Sequence, residues 1–189
     1  MFIQTEHTPN PSTLKFVPGK VVMKKGTANF QNKETATNSP LAKKIFEIEG
    51  VKSIFFGSDF ITITKIDTTE WEVIKPMILG SIADYFKSNN PIFDTNENLD
   101  DTKQEEIPAN QDNKIVKQIK ELIETRVRPA VAMDGGDIVF EKFDEGIVYL
   151  HMQGSCSGCP SSTATLKNGI ENMLKHYIPE VIEVRPIND

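Results

Sequence analysis

Two cysteines, Cys156 and Cys159, are the residues whose type and spacing most clearly indicate chemistry. They are the only cysteines in the chain, and two residues separate them. A deprotonated thiol binds iron or zinc and can also attack a disulfide. Gly154 and Gly158, in the same loop, allow backbone angles that other residues avoid, and they let amides approach inorganic sulfide. The two-residue spacer lets both sulfurs face one metal ion or one edge of a cluster.

The position of this loop favours the thiolate form. It lies between a predicted strand and a predicted helix, and Pro160 suits the first helical position, where its missing N–H is not needed. Cys159 then lies near the N-cap. There the free amides of Ser161 and Ser162 and the helix dipole stabilise a negative sulfur. The thiolate is the form that binds metal, so Cys156 and Cys159 are our candidate metal ligands, expected to be ligands rather than core residues.

Two thiolates make up only half of a coordination set. Iron–sulfur clusters usually take four cysteine ligands, and structural zinc takes four cysteines or histidines. Either two chains share one centre, or the remaining ligands come from outside. A thiol–disulfide redox pair, a shared zinc ion and a metal-free structural loop stay open at this point. The redox pair fits less well, because thioredoxin-like domains carry the motif early, whereas only 30 residues follow Cys159.

The remaining polar clusters give little sign of catalysis. Asp134-Gly135-Gly136-Asp137 could form a carboxylate site, but it is typical of a turn in which glycines take positive φ and Asp side chains bond local amides. His151 is predicted on a strand surface, not at a metal. The sequence shows no Gly-rich phosphate loop and no Ser/His/Asp set, so the chain is not expected to be an enzyme.

Composition is that of a globular protein whose acidic residues are unevenly placed. Of 189 residues, 38% are hydrophobic and 25% charged, and the net charge is −6. Residues 94–113 hold seven acids and one lysine, so the rest of the chain sums to about zero. No basic stripe is present, which argues against a nucleic-acid partner. No run approaches the ~20 apolar residues that span a bilayer, so no membrane partner is expected.

The acidic stretch divides the chain. Residues 94–112 contain few large apolar side chains, cannot offset their ordering entropy by burial, and are predicted to form a flexible linker. This leaves domains at 1–93 and 113–189, both predicted to be α+β. The N-terminus resembles neither a secretory signal nor a transit peptide. A bacterial cytoplasmic location is therefore expected, with a mature mitochondrial matrix form as the alternative.

Hydrophobic patterning predicts the elements of each domain. In the first domain these are strands at Phe2–Thr5, Thr13–Val17, Val51–Phe56 and Phe60–Lys65, a helix capped by Ser39, and a helix from Trp71 to Phe86. In the second domain they are a helix from Ile115 that Pro129 limits, strands at Ile138–Phe143, Ile147–Met152 and Val181–Arg185, and a helix whose apolar stripe Leu166–Tyr177 is predicted core.

Both domains resemble known families. The second carries Arg128-Pro129, Asp134-Gly135-Gly136-Asp137, Gly154-x-Cys156-x-Gly158-Cys159-Pro160-Ser161-Ser162, Thr165-Leu166-Lys167, Gly169-Ile170-Glu171 and Pro179-Glu180-Val181. This set resembles the NifU C-terminal (Nfu) domain over nearly its whole length. The first carries Thr8-Pro9-Asn10-Pro11, Leu14-Lys15-Phe16, Pro18-Gly19, Ser39-Pro40-Leu41-Ala42, Phe55-Phe56-Gly57 and Asp59-Phe60-Ile61-Thr62. That set resembles the Nfu N-terminal domain.

The resemblance implies an Nfu-type carrier that receives a [4Fe–4S] cluster and passes it to apo-proteins. It implies that Cys156 and Cys159 of two paired subunits hold the cluster, which makes the chain a homodimer on cluster binding. Upstream cluster assembly proteins are the implied donors and apo iron–sulfur proteins the implied recipients. A thiol–disulfide oxidoreductase using the same two cysteines is the alternative.

Overall fold

The computed structural model describes residues 2–94, 111–158 and 160–187. The chain divides into two compact units, Met1–Asp100 and Asp101–Asp189. Both mix helices and strands, which confirms the predicted α+β class. Residues 95–110, most of the predicted linker, lie outside the described residues, so its bounds stay a prediction. No helix among the described residues has both the length and the apolar character needed to cross a membrane.

The first unit is one antiparallel sheet packed by two helices. Its strands are β1 (Gln4–His7), β2 (Thr13–Val17), β3 (Ala28–Phe30), β4 (Val51–Phe56) and β5 (Ile61–Lys65), in the order β1-β2-β5-β4-β3. Helices α1 (Pro40–Phe46) and α2 (Trp71–Lys87) contribute buried residues to the same core. Strand β1 begins two residues later than predicted, and the sequence pattern did not predict β3.

Local sequence explains how these elements begin. The Ser39 side chain accepts a hydrogen bond from the N–H of Ala42 at 3.2 Å, and Pro40 follows at the first helical position. This confirms the predicted cap. In the turn before β2, the Asn10 side-chain oxygen accepts from the N–H of Ser12 at 3.0 Å.

The second unit is a three-stranded sheet with helices before it and between its strands. Its elements are α3 (Gln111–Leu122), a π-helical turn (Ile123–Val127), α4 (Arg128–Met133), β6 (Gly136–Asp144), β7 (Ile147–Gly154), α5 (Pro160–Tyr177) and β8 (Glu183–Ile187). Strands β6 and β7 pair antiparallel. The turn between them consists of Glu145 and Gly146, both at positive φ. Strand β8 joins β7 in parallel after the α5 crossover, two residues later than predicted.

The prediction that Pro129 limits the first helix of this unit is wrong. The chain continues helically as α4, and Pro129 lies in its first turn. A proline in a regular helix would clash with the carbonyl of the fourth residue before it. Here a π-helical turn precedes the proline, and the N–H of Arg128 donates to the carbonyl of Ile123, five residues back. The wider turn changes the hydrogen-bond register just before Pro129, which lets the helix continue.

The core of the second unit lies between the helices and one face of the sheet. Its fully buried residues include Ile119 on α3, Val148 and Leu150 on β7, and Leu174 on α5. The predicted apolar stripe on α5 is confirmed at Ile170 and Leu174, but Tyr177 is 48% exposed, so the stripe ends before it.

Candidate functional site

The cysteine loop connects the end of β7 to the start of α5. Gly154 closes the strand with φ 62°, and Gly158 has φ 80° near the far end of the loop. Both values lie in the left-handed region that favours glycine, as the sequence analysis predicted. The helix begins at Pro160. Cys159 lies outside the described residues, so its role as a ligand stays a prediction.

The loop is fastened to the turn after α4. Ser155 is 2% exposed, and its hydroxyl donates to the carbonyl of Asp134 at 2.6 Å. Its backbone N–H donates to the carbonyl of Gly135 at 3.2 Å. The residue just before Cys156 is therefore held at two points. The Asp134–Asp137 motif acts here as a turn, which supports the simpler of its two interpretations.

Backbone hydrogen bonds also fix Cys156 itself. Its N–H donates to the carbonyl of Gln153 at 3.3 Å. Its carbonyl accepts from the hydroxyl of Thr163, on the first turns of α5, at 3.1 Å. The Ser157 hydroxyl donates to the carbonyl of Gly154 at 3.0 Å. These contacts tie the loop to both elements that flank it.

The Cys156 thiol is part of the hydrophobic core. The residue is 6% exposed and packs in the cluster that contains Ile138 and Leu150. Burial raises the pKa of the thiol to about 12. The side-chain hydrogen bond with Ser155 lowers this pKa, and the nearby Asp134 and Asp137 raise it. The expectation that Cys156 lies outside the core is therefore wrong, because in the described fold its sulfur faces apolar packing. Its role as a metal ligand stays a prediction.

Gly136, the first residue of β6, packs directly against this sulfur. A Cβ built on Gly136 would overlap the Sγ of Cys156 and lie 3.1 Å from the Cys156 nitrogen. Gly135 takes a positive φ of 79°, as predicted for the motif, but Gly136 does not, so the prediction is wrong for Gly136. Gly136 is needed instead for close approach. Sequence reasoning missed this role, because the pattern Gly-Gly gives no sign of which element approaches.

A buried ion pair holds the start of β6. The Asp137 side chain is 4% exposed and accepts from Nε and Nη2 of Arg128, both at 2.8 Å. It also accepts from the backbone N–H of Ile138 at 2.8 Å. The hydrogen bond to Asp137 is the largest cause that raises the pKa of Arg128, with Glu124 adding to it. The predicted bond from Asp137 to a local amide is present, and the guanidinium is a partner that the sequence pattern did not predict.

The metal-ligand set in the described part of the chain is incomplete. No group of three or more His, Cys, Asp or Glu side chains there is placed to hold a metal ion. His151 lies on β7, with Nε2 3.1 Å from a Glu141 carboxylate oxygen, as expected of a strand-surface histidine. One soft sulfur donor on a fixed loop can bind a metal only with ligands from Cys159 and from outside the chain.

Comparison with known proteins places both units in one family. A family model described as "Scaffold protein Nfu/NifU N terminal" matches residues 3–89. A second, described as "NifU-like domain", matches residues 119–185 and so includes the cysteine loop. The two matches fall in the two compact units, in the order that the resemblance implied.

Relatives match over nearly the whole chain. It is 50% identical over 190 residues to "NFU1 iron-sulfur cluster scaffold homolog, mitochondrial" of Homo sapiens, covering 100% of this chain and 73% of the human protein. It is 52% identical to "NifU-like protein 4, mitochondrial" of Arabidopsis thaliana, covering 96% of this chain and 64% of that protein. A solution structure of a NifU-like protein from Saccharomyces cerevisiae is 27% identical, with a TM-score of 0.46, and covers 51% of this chain and 87% of its own.

The two α+β units, the second with its cysteine loop between a strand and a helix, match the two domain models of NifU-like proteins in order. Because it is 50% identical to the human relative over its full length, the chain belongs to the Nfu family of iron–sulfur cluster scaffold proteins.

Proposed function

We propose that this chain is a carrier that binds a [4Fe–4S] cluster through Cys156 and Cys159, shares it with a second subunit, and passes it to apo-proteins. The observation that carries the proposal is the position of Cys156. It is a sulfur donor on a loop fixed at both ends, and no group of three or more His, Cys, Asp or Glu side chains among the described residues is placed to hold a metal ion. A four-iron cluster needs four ligands, so a second copy of the same loop completes the set.

The relatives support the carrier role. The human relative is named an iron–sulfur cluster scaffold, and a scaffold that accumulates a cluster has to deliver it to an acceptor. Apo iron–sulfur proteins are the proposed recipients and cluster assembly proteins the proposed donors. Both relatives quoted above are named mitochondrial. They favour the mitochondrial matrix over the bacterial cytoplasm as the location.

The packing of the loop is a reason to expect only moderate affinity for a cluster. Cys156 packs among apolar side chains, so its sulfur has to leave that packing to bind iron. Returning that sulfur to its packed position regains apolar contacts when the cluster leaves. Gly158 is exposed, and a Cβ built on it would meet no atom of the described residues within 4 Å. We expect an acceptor thiolate to approach the loop from that side.

A thiol–disulfide oxidoreductase with the same two cysteines is the alternative function. Such enzymes need an attacking thiolate with a pKa near the ambient pH. The raised pKa of Cys156 disfavours that residue as a nucleophile. Colour separates the two functions, because an iron–sulfur protein is brown and a dithiol protein is colourless.

Transfer from cysteine variants tests the proposal. The variants Cys156→Ser and Cys159→Ser, reconstituted anaerobically, should each fail to deliver a cluster to an apo-acceptor. Because Cys156 is buried, Cys156→Ala serves as a second variant that adds no polar group to the core. Circular dichroism should show native secondary structure for all three. A folded Cys156 variant that delivers clusters at the wild-type rate would remove Cys156 from the site.

A further inference from the structure

Met133, the last residue of α4, is the most exposed large apolar side chain described in the second unit. It is 76% exposed, compared with 65% for Ile182 and 48% for Tyr177. A single exposed methionine needs no explanation by itself. Its place in the fold is what matters, because it stands at the edge of the cysteine loop.

Short hydrogen bonds connect the turn after Met133 to that loop. Asp134, the next residue, accepts through its carbonyl from the Ser155 hydroxyl at 2.6 Å. Gly135 accepts through its carbonyl from the Ser155 N–H at 3.2 Å. Ser155 directly precedes Cys156. We therefore expect a second subunit that supplies ligands at this loop to approach Met133 as well.

The proposed cluster brings such a surface, since this inference rests on the proposed function. Two loops that contribute equal ligands to one cluster are related by a two-fold axis at the cluster. Residues beside the loop then lie close to the axis and face the same residues of the second copy. A methionine suits this position, because its unbranched side chain adapts to a partner surface and methionine is enriched at interfaces.

We propose that Met133 packs against a second copy of this chain when the cluster joins the two subunits. The contact is made by both copies, so it stabilises the cluster-bridged dimer and covers one side of the cluster from water. The contact disappears when the cluster is delivered and the two subunits separate.

Opposite charges at this one position test the proposal. In Met133→Asp two carboxylates face each other across the axis, and in Met133→Lys two ammonium groups do. Each reconstituted variant alone should dimerise about tenfold more weakly than wild type, because like charges at an interface repel. An equal mixture of the two should recover wild-type affinity as the mixed dimer. Sedimentation velocity measures the affinity, and native mass spectrometry identifies the mixed dimer by its mass.

Met77 on α2 gives a matched control. It is 52% exposed in the first unit, and Met77→Asp should dimerise as wild type does. Because Met133 is exposed, its variants should match the wild-type melting temperature without cluster, and Met133→Lys remains as a second variant if Met133→Asp melts early.

Three results would overturn the inference, and they are distinguishable. Charged variants that form wild-type dimers would place Met133 outside the subunit contact. Variants that dimerise normally but deliver clusters poorly would assign Met133 to an acceptor protein. A wild-type chain that holds its cluster as a monomer would remove the proposed function, and this inference with it.

Discussion

Gly136 and Cys156 are packed so closely that the backbone of the first fixes the sulfur of the second. A Cβ on Gly136 would overlap the Cys156 Sγ and lie 3.0 Å from the Gln153 carbonyl. Gly136 is also paired with Gly154 across β6 and β7. The start of one strand and the end of the other therefore determine where the loop presents its thiol.

Gly136→Ala should push Cys156 out of its packed position. We expect a loss of about 1–3 kcal/mol in the free energy of unfolding, as for other overpacked sites, and less iron bound after anaerobic reconstitution. Chemical denaturation and an iron assay measure the two effects. Gly169→Ala on α5 is the control. Its new Cβ meets nothing within 4 Å, and alanine should stabilise the helix by up to about 1 kcal/mol. Wild-type stability and iron content in Gly136→Ala would contradict the close packing.

The Arg128–Asp137 pair should be a large single contribution to the stability of the second unit. Arg128→Met leaves the Asp137 carboxylate buried without its guanidinium, which should lower the free energy of unfolding by about 3 kcal/mol. Denaturant unfolding of the cluster-free chain measures this cost. Glu124→Gln changes the other partner of Arg128. The Glu124 side chain is 60% exposed, so this variant should lower the free energy of unfolding by about 0.5 kcal/mol or less. Equal effects of the two variants would show that burial of the pair does not matter.

The Cys156 thiol should react slowly in the folded, cluster-free chain. In Cys159→Ser it is the only thiol, and it is 6% exposed with a pKa of about 12. At pH 8 little thiolate forms in the fold, whereas unfolding restores an ordinary thiol pKa near 8.5. Alkylation by iodoacetamide, followed by mass spectrometry, should be about 100-fold slower in buffer than in concentrated urea. Equal rates would mean that the thiol is not held in the core.

The pH dependence of stability follows from the raised pKa of the Cys156 thiol. Above the unfolded pKa the unfolded chain releases the thiol proton while the folded chain keeps it, so the unfolded state gains and stability falls as pH rises. Between about pH 9 and 12, the wild-type chain should lose more stability than Cys156→Ala does. Denaturant unfolding of both chains across this range measures the difference, and parallel losses would mean that the thiol keeps its ordinary pKa in the fold.

The second unit should fold and load a cluster without the first. Each unit has its own hydrophobic core, and the cysteine loop is held by contacts within residues 134–163. Residues 111–189 should therefore show native-like circular dichroism and take up iron as the full chain does. Residues 1–94 should fold without binding iron. An unfolded 111–189 fragment, or a folded one that binds no iron, would contradict the assignment of cluster binding to this unit.

Sequence patterning predicted elements wherever one local signal dominated. Strand β2 and helix α2 follow their apolar periodicity, and Ser39 caps α1 as expected. Strand β3 was missed because its three residues, Ala28–Phe30, are too short to show alternation. The helix past Pro129 was missed because the π-helical turn that accommodates a proline leaves no compositional signal.

The site was predictable in its ligand type and not in its packing. The C-x-x-C motif identifies the sulfur donors. Whether a thiol faces the solvent or the core depends on its tertiary neighbours. Gly136 and Ile138 come from a strand that precedes Cys156 by about 20 residues in the sequence. The bond between Arg128 and Asp137 likewise joins elements whose contact no local pattern specifies.

The ratio of iron to chain tests the central claim most directly. The chain should be reconstituted anaerobically with iron and sulfide, and then measured by native mass spectrometry alongside iron and sulfide assays. We predict one four-iron, four-sulfide cluster on two chains, about two irons per chain, and a monomer once the cluster is removed. Four irons on a strictly monomeric chain, with no added thiol, would contradict a cluster shared through Cys156 and Cys159.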